Sequence, residues 1–358
     1  MASPEAWAIP EGSTILVTGA NGFLGSNIAD QFLQYGFKVR GTVRNKANNT
    51  WLTDAFHGKY GSDRFELWEI PDLAAEGVFQ EAVKGVSAVA HSASIMTLDY
   101  DPTNVIPGAV AYALNALKAT YEEPNAKRFI FCSSSTAAVL SSTDKPGIVV
   151  NKKTWNEDAV KEAWVDPPYT PERAHAVYSA SKVLAEQAIW KYHDEHLDQR
   201  PDLVVNTVLP NMTLGKSIDP IARGFSSTAG MVALLYRGEI VEYHRTVPRQ
   251  YFVDVQDIGR LHVAAAIIKS VRSQRIFGFA YRYNWDSILE ILRGLEPAKA
   301  FPENFSGGED PNEIEPRHEA EQLLRELGRP GWTSLYESIR NMVEDFHEVE
   351  ARQTDKTS

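Results

Sequence analysis

Thr18-Gly19-Ala20-Asn21-Gly22-Phe23-Leu24-Gly25 stands between a short apolar run, Thr14–Thr18, and a helical stretch, Phe23–Tyr35. The order strand, glycine turn, helix gives each glycine a physical task. Gly19 allows a tight turn, Gly22 lets the backbone approach a pyrophosphate, and Gly25 permits close packing of helix on strand. The first N–H groups of the helix, unpaired within it, then face the phosphates at the positive end of the helix dipole. In this context the three glycines predict a dinucleotide site that also uses Thr18, Asn21, Phe23 and Leu24.

Outward from this turn, short runs rich in Val, Ile and Phe recur at Lys38–Val43, Phe65–Glu69, Ala88–His91 and Arg128–Cys132. Helical stretches separate them at Val78–Val83 and Ile106–Thr120, and a long helix, Pro171–His196, precedes another buried strand, Leu203–Leu209. Strands alternating with helices predict an α/β fold with a doubly wound parallel sheet of the Rossmann kind. After Pro210 the texture changes. A strand Gln250–Asp254 and a helix Asp257–Ser270 are followed by a Pro- and Gly-rich loop, Pro302–Pro316, and by helices Arg317–Leu327 and Leu335–Phe346. We expect residues 1–210, rejoined by 250–270, to form the cofactor domain, and 211–249 with 271–358 to form a smaller C-terminal substrate lobe.

Which dinucleotide binds is decided after the second strand, where an NAD site places an Asp or Glu on the ribose 2′-hydroxyl. Here the segment is Arg40-Gly41-Thr42-Val43-Arg44-Asn45-Lys46, with no acid. Arg44, helped by Arg40 or Lys46, can hold a 2′-phosphate through charge-assisted hydrogen bonds. NADPH is therefore the expected cofactor.

Tyr178-Ser179-Ala180-Ser181-Lys182 sets a phenol and an ammonium four residues apart on one helix face. It is the single Tyr-x-x-x-Lys among 14 tyrosines. An ammonium beside a phenol favours the phenolate, so the spacing predicts a Tyr178 with lowered pKa, able to exchange a proton. Cys132-Ser133-Ser134-Ser135-Thr136 lies at the carboxyl end of the fifth strand, where open parallel sheets bind ligands. A hydroxyl there can hydrogen-bond a substrate carbonyl, and spacing leaves open which serine does so. His193 and His196 share a helix without a third ligand and are expected to face solvent, so no metal site is predicted. Asp257 reads as a helix cap.

The chain has 358 residues, one cysteine and a formal net charge of −11, from 36 Lys and Arg against 47 Asp and Glu. Binding to nucleic acid, which needs clustered basic residues, is not expected. Met1–Ser13 lacks the basic start and apolar run of a signal peptide, and no apolar run reaches the roughly 20 residues needed to cross a bilayer. A cytoplasmic protein that engages no membrane is expected, with the Asn-x-Ser/Thr triplets at Asn48, Asn211 and Asn304 taken as fortuitous.

Taken together, Val17 through Gly25, Phe131 through Ser134 and Tyr178 through Lys182 resemble the extended short-chain dehydrogenase/reductase family. Within it the chain looks like the dihydroflavonol-4-reductase-like branch, and most like fungal NADPH-dependent aldehyde and carbonyl reductases. Val89–Ser94, Leu209-Pro210-Asn211 with Gly215, Gln250–Val253 and Leu327–Trp332 add to the likeness, which runs from about Thr14 to Phe346. The resemblance implies reduction of aldehydes or ketones to alcohols. Tyr178 would be the proton donor, Lys182 its activator and ribose ligand, and Ser134, or alternatively Ser133, the residue that orients the carbonyl. It also implies that Asp72 and Leu73 lie beside the adenine, Ser92, Ala93 and Ser94 along the cofactor, and Pro210 and Asn211 beside the nicotinamide. Ala138 stands where plant flavonoid reductases carry an asparagine, which argues for a smaller or more apolar carbonyl substrate. The substrate pocket is expected from Met96-Thr97, Ala137–Leu140, Phe225–Met231 and Gln250, in a monomer or homodimer. The same motifs also fit a nucleotide-sugar epimerase or dehydratase, and the scaffold alone fits a non-enzymatic NADP sensor.

Overall fold

The computed structural model describes residues 7–140 and 146–357. Met1–Ala6, within the segment read for a signal peptide, lie outside the described residues. The cofactor half runs β1 (Thr14–Thr18), α1 (Phe23–Gln34), β2 (Lys38–Val43), α2 (Thr50–Tyr60), β3 (Phe65–Glu69), β4 (Ala88–His91), α3 (Pro102–Glu122) and β5 (Arg128–Cys132). After it come β6 (Val149–Val150), α4 (Glu157–Ala163), α5 (Ala174–Glu195), β7 (Val204–Pro210), β8 (Met212–Leu214), α6 (Pro220–Arg223), α7 (Ser227–Tyr236) and α8 (Glu242–Thr246). The remainder is β9 (Arg249–Asp254), α9 (Val255–Ile267), β10 (Arg275–Gly278), β11 (Tyr281–Asn284), α10 (Trp285–Leu295), β12 (Glu313–Ile314), α11 (Arg317–Glu326) and α12 (Leu335–Thr357).

Seven strands form one sheet in the order β10-β7-β5-β4-β1-β2-β3, and every pairing in it is parallel. Both faces are covered, which is why the strands read as nearly continuous apolar runs. The period-2 alternation of a strand still sorts the side chains. Ile15 and Val17 of β1, Ala88 and Ala90 of β4 and Ile130 of β5 enter one core, shared with α1 and α9. Leu16, Val89, Phe129 and Phe131 enter the other, beneath α3 and α5. The order of connection reverses between β1 and β4, so the crevice for a ligand opens at the carboxyl ends of these two strands.

The first five strand expectations match β1–β5 residue for residue. The helix expected at Val78–Val83 is a series of turns. Gly77 and Gly85, both at positive φ, bracket it and leave too few residues for a stable helix. The helix expected from Ile106 begins a turn earlier, because Asp101 caps it by accepting the Thr103 N–H and Pro102 takes the first position. Helix α2 went unread. Only Leu52 and Phe56 of its residues are buried, so its apolar stripe is thin.

Strand β10, inside the span expected to belong to the C-terminal lobe, is instead the edge of the main sheet, paired with β7. The lobe is built around a three-stranded sheet, β11-β9-β8, with β8 continuing the path of β7. Asn284 caps α10 with its side chain on the Ser287 N–H, and Trp285, fully buried, anchors that helix through its indole N–H on Val247 O at 2.8 Å.

Candidate active site

Gly19 has φ +64°, and a Cβ there would lie 2.9 Å from Ala93 Cα in the turn after β4. A Cβ on Gly25 would approach Gly19 O to 2.1 Å, so α1 can sit against the turn only with glycine at that place. Gly22 is the N-cap of α1 and supplies no side-chain acceptor, and the first turn carries no acid. The first N–H groups of α1 are therefore left for an external acceptor. A shallow pocket beside this turn is lined by Asn21, Gly22, Phe23 and Ser26 together with Ser217, Arg223 and Ser226. These features fit a dinucleotide pyrophosphate.

Thr18 lies beneath the site. Its fully buried hydroxyl contacts His91 Nδ1 at 3.0 Å and accepts the N–H groups of Ser92 and Ala93 at 3.1 Å each. With two donors already on the oxygen, the Thr18 hydroxyl is the donor to His91. Burial holds His91 neutral, with its pKa lowered to about 3. Thr18, expected as a cofactor contact, thus has its hydroxyl committed to tying β1 to β4. Ser92 Oγ donates to Thr18 O at 2.6 Å, Ser94 is half-buried in the same turn, and Asn21 is held by Asn49 at 2.9 Å.

At the ribose end Arg44 is exposed, as is Lys46, whose backbone N–H donates to Glu69 Oε2 at 2.6 Å. Arg40 is not available to help. Its guanidinium pairs with Glu66 at 2.6 Å, donates to Ala82 O and Lys84 O, and lies over Trp68 at 4.6 Å. Asp72 accepts the Ala74 N–H in an exposed turn, and Leu73 is buried, its carbonyl held by Asn115.

The catalytic candidates converge at the carboxyl end of β5. Tyr178, Lys182 and Glu186 follow one face of α5 at four-residue spacing. The Ser134 hydroxyl stands beside the Tyr178 phenol, and Lys182 Nζ donates to Cys132 O at 3.4 Å, 6.0 Å from the Tyr178 ring centroid. The lowered phenol pKa expected from Lys182 is not what the ligand-free geometry produces. Burial pushes Tyr178 up to about 12, with the Ser134 hydroxyl opposing. Burial also lowers the Lys182 pKa, against the influence of Cys132 and Glu186. Desolvation outweighs the ammonium at this distance.

The two serines separate cleanly. Ser133 Oγ donates to the buried Glu186 carboxylate at 2.7 Å, whereas Ser134 Oγ accepts from Thr136 N at 3.3 Å and shares a 3.1 Å contact with Thr136 Oγ1 on the side of Tyr178. Glu186 and Tyr243 were missed in the sequence. Burial raises the pKa of Tyr243, with nearby Tyr178 adding to the rise and Gln250 opposing it, and Gln250 Nε2 donates to the Tyr283 hydroxyl at 3.3 Å. The spacing of Glu186 from Lys182 was a legible signal. Tyr243 lies in a short helix, α8, with no motif around it.

Other expectations are corrected. Ala137 and Ala138 are buried in a core with Val150, Leu209 and Phe277, and only Leu140 of that run is exposed. Met96 and Thr97 are exposed, and Phe225 packs edge-on against Phe346. His193 does not face solvent. It is buried, with Nδ1 2.7 Å from the Tyr121 hydroxyl, while His196 stacks on Tyr192 at 3.9 Å. Among the described residues no group of acids, histidines or cysteines is arranged to hold a metal. The cap of α9 is Asp254, which accepts the Gln256 N–H. Asp257 instead pairs with Arg260 at 2.6 Å and accepts the Thr333 N–H. Pro210 is buried, and Asn211 accepts the Met212 N–H at 2.7 Å, at the end of β7.

Across residues 15–277 the sequence matches the NAD dependent epimerase/dehydratase family. The chain belongs to that family. It is 37% identical over 344 residues to "Aldehyde reductase 2" of Sporidiobolus salmonicolor, covering 96% of this chain and 98% of the relative. It is 36% identical over 350 residues to "Ketoreductase adrE" of Penicillium rubens, covering 96% and 99%. Among solved structures, the yeast methylglyoxal/isovaleraldehyde reductase Gre2, complexed with NADPH, superposes with a TM-score of 0.78 at 20% identity over 95% of this chain and 99% of that one. That likeness is one of fold. No helix among the described residues is long and apolar enough to cross a membrane.

Proposed function

We propose that this family member reduces aldehydes and ketones to alcohols with NADPH, using Tyr178 as proton donor, Lys182 as its electrostatic support and Ser134 to orient the carbonyl. The observation that carries the assignment is the division of labour between the serines, with Ser133 bonded to Glu186 and Ser134 left beside the Tyr178 phenol. The names of the two relatives, an aldehyde reductase and a ketoreductase, support carbonyl reduction, and a fold neighbour complexed with NADPH supports the cofactor.

When bound, NADPH supplies a hydride to the carbonyl carbon. Tyr178 then gives its phenolic proton to the carbonyl oxygen, leaving a phenolate and an alcohol. Burial disfavours the phenolate, so the resting residue is a protonated phenol, the form a reductase needs. The Ser134 hydroxyl and the Lys182 ammonium face the charge left after transfer. Glycine-turn residues Gly19–Gly25 with Asn21 hold the pyrophosphate, and Arg44 with Lys46 the 2′-phosphate. Asp72, Leu73, Ser92–Ser94, Pro210 and Asn211 flank the rest. Gln250 and Tyr243 face the substrate. Residues 1–210, rejoined by α9 and β10, form the cofactor domain of a cytoplasmic monomer or homodimer, while β9, the start of the expected 250–270 return, belongs to the lobe's sheet.

The deciding experiment follows NADPH oxidation over a panel of aldehydes and ketones, with Tyr178→Phe beside the wild type. Turnover should fall by roughly 10²–10⁴-fold, the usual contribution of a general acid, with NADPH binding nearly intact. More than about a tenth of wild-type activity in that variant rejects Tyr178 as the acid. Tightly retained cofactor with no net oxidation would point to the epimerase reading.

A further inference from the structure

Glu186 is fully buried one helical turn beyond Lys182, on the same face of α5 as Tyr178. Five donors surround its two oxygens. Oε2 accepts from Ser133 Oγ at 2.7 Å and from an Arg275 terminal nitrogen at 3.5 Å. Oε1 accepts from Thr207 Oγ1 at 2.8 Å, Arg275 Nε at 2.8 Å and Trp190 Nε1 at 3.4 Å. The donors come from the end of β5, from β7, from β10 and from α5 itself, so one carboxylate ties the helix to three adjacent strands.

Arg275 is secured in turn. Its other terminal nitrogen donates to Lys152 O at 2.9 Å and Thr154 O at 2.7 Å, and its guanidinium lies 3.8 Å from the Trp155 ring centroid. An ion pair this deep is poor evidence for stability, because the cost of removing both charges from water is comparable with their attraction, and apolar replacements are often neutral or better. What the pair does supply is direction. A carboxylate held from several sides leaves Ser133 a single acceptor position, and Ser133 sits between the two residues that touch the reacting groups. Cys132 offers its carbonyl to Lys182, and the Ser134 hydroxyl stands beside Tyr178.

We propose that Glu186, braced by Arg275, is a positioning residue that holds Ser133 and thereby sets Ser134 against Tyr178. It touches neither substrate nor cofactor and acts through the short segment Cys132–Ser134. The inference rests on the reading of Tyr178 and Ser134 as the proton-donating pair.

Two variants test it from opposite ends. Ser133→Ala cuts the link and leaves the buried ion pair in place. A misplacement of about 1 Å at a reacting centre can cost on the order of 10²-fold, so kcat should fall by roughly tenfold to a hundredfold. The KM and directly titrated dissociation constant for NADPH should stay within about threefold of wild type, a split that general loosening of the fold would not produce. Ser133→Thr, which keeps the hydroxyl, should recover most of kcat. The double variant Glu186→Leu with Arg275→Met should keep the thermal midpoint and lose kcat to the same extent. Wild-type kcat in Ser133→Ala overturns the proposal, as does loss of NADPH affinity in step with kcat. Tyr178→Phe run alongside separates the failures: if that variant turns over normally, the underlying site assignment fails, whatever Ser133 does.

Discussion

Arg44→Ala isolates the 2′-phosphate from the rest of the cofactor. The structure leaves Arg44 exposed and Arg40 fully engaged with Glu66, Trp68 and two carbonyls, so no neighbouring guanidinium can replace it. A hydrogen bond to a charged group contributes roughly 1.5–3 kcal/mol. A guanidinium can make two to a phosphate, but solvent exposure screens both, so one bond's worth is the reasonable loss. At about 1.4 kcal/mol per factor of ten, NADPH should weaken by roughly tenfold to a hundredfold. NADH has no 2′-phosphate and should change little. The assay compares KM and directly titrated dissociation constants for both cofactors at about 0.1 M and 1 M salt, where the screening length falls from about 10 Å to about 3 Å. The NADPH penalty of the variant should shrink at the higher salt. Equal losses for both cofactors would make Arg44 structural, and a wild type that prefers NADH would remove the 2′-phosphate argument altogether.

Ser134→Ala should reduce turnover more than it raises the KM for NADPH, since the lost hydroxyl faces Tyr178 and the carbonyl; steady-state kinetics on one aldehyde decides this, and unchanged kcat rejects Ser134. Asp345 offers a pH test. It is 1% exposed, accepts the Ser217 N–H at 2.7 Å, and burial pushes its pKa up to about 6. A carboxyl raised in the fold is stabilising relative to its ionised form below the unfolded value near 4, and that contribution is lost as pH rises through about 6. Asp345→Asn should therefore melt later than wild type at pH 8, by an amount of order 2 kcal/mol, and show no gain near pH 4. A wild-type difference that is the same at both pH values contradicts the assignment.

The legible parts of the fold were those with a strong local signal. β1, β4 and β5, in the middle of the sheet, carry apolar residues on both faces because helices cover both sides, and such runs stand out without any knowledge of partners. The glycine turn was equally plain, since Gly19 takes a positive φ and Gly25 must clear the Gly19 carbonyl six residues earlier. The failures share an opposite cause. β10 was placed in the wrong lobe because its four residues, Arg275–Gly278, owe their place to pairing with β7, some seventy positions earlier. His193 looks like a surface histidine until Tyr121, on a different helix, takes its Nδ1. Asp257 looks like a cap until Thr333 and Arg260 occupy it.

For the site, residue types were readable and their energetics were not. Tyr-x-x-x-Lys announces a phenol and an ammonium on one helix face, and from spacing alone the ammonium should dominate. In the fold the Lys182 nitrogen turns toward Cys132 O, and the loss of water around Tyr178 becomes the larger effect. A similar effect of packing separates the serines. Four hydroxyl residues in a row are equivalent on paper, and only the depth of Glu186 distinguishes them, by taking Ser133 and leaving Ser134 on the reactive side. In the proposed mechanism, burial would set both the form of the acid and the identity of its partner. A phenol kept protonated by desolvation is suited to giving a proton to a carbonyl oxygen, and a serine whose neighbour is anchored to a buried carboxylate is suited to orienting that oxygen. Each property comes from packing by β5, β7 and β10 around α5, which is why the arrangement of these strands, more than the Tyr-Lys spacing, determines what the site can do.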